Sequence, residues 1–256
     1  MITVQVLVAT MKQDDHSLLD KMNIQTDALI GNQCDKSFIE NFSWNGKNIT
    51  YFNFEERGVG LNRNNTLMRA DADVCLFADD DMVYVDGYDK IVDKAFEECK
   101  DADVIIFNLH EENSSRYIIK NKHRVRYYNY LRYGTARVAV RTNSVKKNAI
   151  YFNQCFGGGT SYCHGEDNLF LTECLKKGLK IYAVPYYIAK LTDERLSTWN
   201  NGYDQKYIND QGVLYRAISK HWWRILCLQD ALRKHNSYGM NWWNAFRIMI
   251  EGGKSF

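Results

Sequence analysis

Apolar residues fall along this chain in short runs that alternate with helical patterns. Runs of strand length lie at 4–9, 28–31, 49–54, 74–78 and 104–109. Helical spacing of apolar positions appears between them at 17–22, 62–70 and 88–99. Strands that read as continuous apolar runs are buried on both faces, and their alternation with helices predicts an α/β fold. The expected form is a mostly parallel sheet flanked by helices. Ligands of such sheets collect beyond the carboxyl ends of the strands.

Past residue 110 the pattern is irregular. A basic, tyrosine-rich stretch leads to a strand candidate at 137–141 and then to the loop Gly157-Gly158-Gly159. A helix follows over 167–177, closed by Gly178 in the position of a helix C′ residue, and a strand over 181–184. From Val213 the sequence is helical and aromatic nearly to its end. The simplest organisation is a catalytic-type domain over 1–212 with a C-terminal helical appendage over 213–256.

Composition narrows the class. An apolar share of 45% and a charged share of 25% are ordinary for a globular chain and argue against disorder. Net charge is +2, so no global field marks a nucleic-acid partner. The seven cysteines form no C-x-x-C pair, which fits reduced thiols and a cytoplasmic setting. The N-terminus reads as a strand and lacks the features of a signal peptide, and no apolar run approaches the ~18 residues of a membrane span.

Charge is uneven locally. Residues 71–112 hold 14 acidic residues against 3 basic ones, whereas 116–147 hold 10 basic residues and no acid. Each block alone reads as a solvated face. Side by side they point to a metal cation and an anionic ligand handled together.

Within the acidic block, Asp79-Asp80-Asp81 stands where an apolar strand ends. Three adjacent carboxylates repel one another unless a cation offsets them. A hard divalent ion, Mg²⁺ or Mn²⁺, held by Asp79 and Asp81 together with phosphate oxygens answers that need, and an acidic turn ahead of the next helix is the bland alternative. A second acidic pair, Glu166-Asp167, opens a helix 86 residues after Asp81. It suits the helix dipole in any case, and it can also serve as a general base. Upstream, Arg57-Gly58-Val59-Gly60-Leu61-Asn62-Arg63 leads into a helix and suits phosphate, without being a P-loop or a dinucleotide fingerprint.

Together these motifs resemble the family-2 glycosyltransferases of the GT-A fold, which are inverting and use nucleotide sugars. The resemblance runs from Val4 to about Gly212 and rests on Val8-Ala9-Thr10, Gly60-Leu61-Asn62-Arg63-Asn64, Phe77-Ala78-Asp79-Asp80-Asp81 and Gly165-Glu166-Asp167. Ser197-Thr198-Trp199 with Gly202-Tyr203 is similar to bacterial members that build capsule, exopolysaccharide or O-antigen units. The resemblance implies a nucleotide-sugar donor, with UDP favoured. Thr10, Asp35, Arg63, Asp79 and Asp80 would contact the donor, Asp79 and Asp81 the Mn²⁺ or Mg²⁺ ion. Asp167, with Glu166 beside it, would be the catalytic base. Gly158, Gly159, Arg195 and Trp199 would line the acceptor or diphosphate, and Lys190 is a further cation for the diphosphate.

The acceptor implied is a glycan or a polyprenyl-diphosphate-linked saccharide at the cytoplasmic face of a membrane. Two departures from the family matter. Processive members carry a Gln-x-x-Arg-Trp motif that is missing from Glu194-Arg195-Leu196-Ser197-Thr198-Trp199, so one sugar is expected per acceptor. The histidine that many members place after the base is also missing, since no His lies between His164 and His221.

The paired tryptophans at 222–223 and 242–243, with nearby cations, fit a helix lying in a membrane interface. They fit equally a helix packed on the catalytic domain or on another subunit. Two other classes stand as alternatives: a nucleotidyltransferase, which would carry a Gly-rich basic loop after the first strand, and a metal-independent binder of nucleic acid or other anions.

Overall fold

A computed structural model describes residues 1–111, 117–192 and 202–256. In chain order its elements are β1 (Val4–Met11), α1 (Leu18–Lys21), β2 (Asp27–Gln33), β3 (Phe38–Trp44), β4 (Lys47–Phe54) and α2 (Val59–Arg69). They continue with β5 (Val74–Asp79), β6 (Met82–Tyr84), α3 (Tyr88–Glu98), β7 (Val104–His110), β8 (His123–Val125) and β9 (Val138–Arg141). The remainder is α4 (Thr142–Lys147), α5 (Glu166–Lys176), β10 (Ile181–Leu191), α6 (Gln205–Ile218), α7 (Trp223–Lys234) and α8 (Trp242–Ser255).

One sheet runs in the order β3-β4-β2-β1-β5-β9-β7-β10-β6, with β8 also paired to β10. Strands β4, β2, β1 and β5 are parallel, as are β7 and β10. The antiparallel β9 lies between β5 and β7, and β3 turns back on β4 as an antiparallel edge. The strand expected over 137–141 therefore forms, but it threads the middle of the sheet and joins two parallel groups. Pro185 sits where the β7–β10 ladder breaks register, between Ala183 and Tyr187, a place where a missing N–H costs little.

Burial explains why the strands read as apolar runs. Residues Val4 to Thr10 are all buried, since both faces of the sheet are covered. Val6, Val8, Ile30, Leu76 and Ala78 meet Val92 and Phe96 of α3 on one face. Leu7, Leu29, Cys75 and Phe77 meet Leu67 of α2, Val145 of α4 and Phe170 and Cys174 of α5 on the other.

The last three helices form a third apolar cluster around Ile208, Leu214, Trp223, Cys227, Ala245 and Met249. Residue 212 falls inside α6, so the helical region begins at Gln205 and has no break at the expected boundary. Residues 242, 246 and 249 share one face of α8 by helical spacing, but that face does not point uniformly outward. Trp242 is exposed, Phe246 is half-buried and Met249 is buried. Trp223 is likewise core, with the Arg216 and Arg224 guanidinium groups over its ring. Trp222, Ile225, Leu228 and Leu232 of the α7 region remain exposed. Among the described residues no helix is long and apolar enough to cross a membrane.

Helices α6 and α8 touch through backbone. A methyl group on Gly212 would lie 1.9 Å from the Met249 carbonyl oxygen, and one on Gly252 would lie 2.1 Å from that of Asn209. Within a helix, Gly→Ala gains about 1 kcal/mol from propensity alone. Here the contact reverses the sign, because the helices must part and the Met249 packing is lost. Gly212→Ala is expected to destabilise the protein by about 1–3 kcal/mol, read from urea unfolding. An unchanged or raised midpoint would show that this helix pair is loosely packed.

Candidate active site

The parallel strands end on one edge of the sheet, and the sequence places its polar motifs there. Thr10 lies near the end of β1, Asp35 just beyond β2, and Asp79 closes β5 opposite Ala9. Helix α2 begins at Val59, three residues before the expected start, because Gly58 and Gly60 hide its first turn from a pattern reading. Arg63 is thereby set in the second turn, pointing back across the strand ends.

Arg63 is the centre of the arrangement. Its side chain is only 4% exposed, and Nη2 donates to Asp79 Oδ1 at 2.7 Å. Nη1 donates to Asp167 Oδ1 at 2.9 Å and to Glu166 Oε1 at 3.2 Å. One guanidinium thus joins the strand-end aspartate to both carboxylates at the start of α5. A planar fork with fixed donor directions suits this task, which a single ammonium group could not perform. Burial alone would weaken the Arg63 charge. Asp79, Asp167 and Glu166 outweigh that effect and hold it more firmly protonated than an ordinary arginine. Phe152 lies under the guanidinium, 5.4 Å from ring centroid to Cζ.

Glu166 and Asp167 differ in environment. Burial, followed by repulsion from Asp167, pushes Glu166 up to about 7, with Arg63 pulling the other way. Asp167 is more open, at 28% exposure against 13% for Glu166. Its Oδ1 also accepts the hydroxyl of Thr135. Gly157, at φ +99°, passes so close to Glu166 that a Cβ there would lie 2.7 Å from the carboxyl carbon, which requires glycine on both counts. Its neighbour Gly158 accepts the N–H of Val59, tying the loop to the start of α2, and Gly159 follows at φ +80°.

The other sequence candidates are distributed around this centre. Asp80 accepts the Thr10 hydroxyl at 2.5 Å, so these two candidates from the sequence meet, and Gln13 Nε2 donates to Thr10 in turn. The Asp81 carbonyl takes both the N–H and the hydroxyl of Thr192. Asp35 is exposed and paired with Arg57 at 2.8 Å on the β2 side of the edge. Lys190 is exposed near the end of β10. Arg195 and Trp199 lie outside the described residues.

A cleft of about 480 Å³ opens beside Asp167, lined among others by Arg132, Tyr133, Gly134, Gly158, His164 and Tyr207. Gly134 and Thr135 escaped the sequence reading: they sit in the acid-free stretch, where no periodicity distinguishes one position from the next. His164 is a structural member of this wall. It stacks on Tyr207 at 4.1 Å, and its Nε2 lies 2.9 Å from Gln211 Oε1, both partners being on α6. Asp210 of the same helix accepts the N–H of Cys163.

No group of three or more His, Cys, Asp or Glu among the described residues forms a closed metal cage. Asp79, with its side chain 39% exposed, and Asp81 stand two residues apart where β5 ends, and with a bound diphosphate supplying the remaining oxygens they would suit a hard cation such as Mg²⁺.

Comparison with known proteins bears on what the edge does. The model of the family described as Glycosyl transferase family 2 matches residues 35–178. The crystal structure of S. aureus TarS 1-349 in complex with UDP-GlcNAc shares the fold, with a TM-score of 0.66 at 14% identity, over 99% of this chain and 92% of that one. S. aureus TarS 1-349 in complex with UDP gives 0.63 at 17% identity, over 92% of this chain and 72% of that one. No curated protein sequence matches the chain.

Proposed function

The chain belongs to glycosyl transferase family 2 and is a glycosyltransferase, and from that premise we propose that it moves one sugar from a nucleotide-sugar donor to an acceptor hydroxyl with inversion at the anomeric carbon. The observation that carries this reading is the Arg63 bridge. It holds the donor-side Asp79 and the base candidate Asp167 on two arms of one guanidinium, so a diphosphate and a sugar ring would lie between the strand ends and the start of α5.

In this reading Asp167 takes the proton of the acceptor hydroxyl. The hydroxyl oxygen bonds to the anomeric carbon from the side opposite the nucleotide, and the bond to the diphosphate breaks. Glu166, buried and partly protonated near neutrality, supports the Asp167 carboxylate without adding a second full charge. Thr10, Asp80 and Asp35 line the donor side, with Gly158 and Gly159 near the transfer point. Asp79 and Asp81 would hold Mn²⁺ or Mg²⁺, which when bound offsets charge on the departing diphosphate.

UDP is the favoured nucleotide, and the UDP-bound structures of the same fold support that choice. A glycan or lipid-linked acceptor is supported by the cleft beside Asp167. An interfacial membrane contact is supported by the exposed Trp222, Ile225, Leu228 and Leu232 near basic Arg224 and Arg233.

The test is a thermal-shift and calorimetry panel of UDP-, GDP- and dTDP-sugars, each with and without Mn²⁺. A UDP-sugar is expected to raise Tm more with the cation than without, while the cation alone has little effect because the protein supplies too few ligands. No metal-dependent stabilisation by any nucleotide sugar would overturn the donor-site assignment.

A further inference from the structure

The two oxygens of Asp167 are not equivalent. Oδ1 accepts from Arg63 Nη1 at 2.9 Å and from the Thr135 hydroxyl. Oδ2 lies against Gly134, where an added Cβ would stand 3.1 Å away. Gly134 has φ −97° and ψ 166°, extended backbone that any residue adopts, so the absence of a side chain is not demanded by conformation. What it leaves is room in front of Oδ2, on the wall of the cleft that also carries His164 and Tyr207.

Thr135 is fully buried and opens the one-turn helix Thr135–Arg137 that runs straight into β9, in the middle of the sheet. Its hydroxyl is therefore fixed by the sheet core. Arg63 is fixed from the opposite side by α2 and by its bond to Asp79. Two donors from separate rigid elements converge on one carboxylate oxygen and stop the group from turning.

We propose that Thr135 is a positioning residue which, with Arg63, anchors Oδ1 of Asp167 and so dedicates Oδ2, in the gap left by Gly134, to receiving the acceptor's proton. The inference rests on Asp167 being the base. The proton balance is simple: the acceptor O–H breaks toward Oδ2, its electron pair forms the new C–O bond, and the diphosphate leaves with the pair from the old one. Orientation is where such an anchor acts, since a base off its line by about an ångström loses on the order of a hundredfold in rate.

The experiment follows nucleotide release from the nucleotide sugar selected by the panel above, with water and with glycerol as acceptors. Thr135→Val removes the hydroxyl at constant volume. It is expected to lower kcat by about 10- to 100-fold with an unchanged KM for the donor, and Thr135→Ser is expected to restore most of the rate. Gly134→Ala, which has no backbone strain, is expected to keep donor affinity by calorimetry and to lose more rate with glycerol than with water. Wild-type kcat in Thr135→Val, no rescue by Ser, or the same fractional loss with both acceptors in Gly134→Ala would each overturn the proposal. Asp167→Asn, run alongside, separates the two levels. Persistent turnover in that variant removes the base assignment itself, whereas its loss together with an active Thr135→Val removes only the anchoring role.

Discussion

Asp167→Asn is expected to reduce sugar transfer by about 10²- to 10⁴-fold, the range a positioned general base contributes, while leaving donor affinity within a few-fold of wild type. The two results separate because the substitution changes one atom. Asn keeps the shape of the carboxylate and can still present a carbonyl oxygen to Arg63 and Thr135. It offers no basic oxygen to the acceptor hydroxyl. Initial rates and calorimetric titration of the nucleotide sugar measure the two sides independently. Transfer above about a tenth of wild type would place the base elsewhere, and Glu166 would be the first group to test.

Arg63→Met is expected to be the most destabilising single substitution at the site, by about 3–5 kcal/mol in urea unfolding. Methionine replaces the apolar stem of the side chain, so little of that volume is lost. What disappears is the charge that compensates Asp79, Glu166 and Asp167. The deficit depends on pH in a definite direction. Glu166 is already held up to about 7 by burial and by Asp167, against the pull of Arg63. Without that pull the folded state keeps its proton more tightly, while the unfolded chain ionises Glu at its ordinary value. A group raised in the folded state loses its contribution as pH rises, and because wild-type Glu166 keeps its own proton up to about 7, the gap between variant and wild type should stay nearly flat through the acid range and widen from about pH 7 upward. A small deficit independent of pH would mean that the carboxylates are compensated by something other than Arg63. Arg63→Lys should recover little, because one ammonium cannot reach both Asp79 and Asp167.

The parallel core was legible because burial on both faces writes an unbroken apolar run, as in Val4 to Thr10. The edge strand β3 was not: Phe38 and Ile39 are exposed and its burial alternates weakly, so nothing marks Phe38–Trp44 off from a loop. The place of β9 could not be read either, since pairing partners that lie far apart in sequence leave no local mark. At the site, Asp79, Asp80, Arg63, Glu166 and Asp167 stood out by type and spacing. The Arg63 side chain that joins Asp79 to Glu166 and Asp167, the last across 104 residues, and the Thr135 hydroxyl were invisible, because convergence is a property of the folded sheet and not of any segment.

The contacts between α6 and the turn ahead of α5 bear on how this protein can be cut. Tyr207, Asp210 and Gln211 brace Cys163 and His164, which immediately precede Gly165 and the carboxylate pair Glu166-Asp167. The carboxyl-terminal fifth of the chain thus buttresses the turn ahead of α5 and is not a detachable tail. A shortened version ending at residue 212 would keep Tyr207, Asp210 and Gln211 but sever α6 midway and strip away Leu214 and the α8 packing that hold this helix in place, so trimming for crystallisation or screening should spare everything through α8.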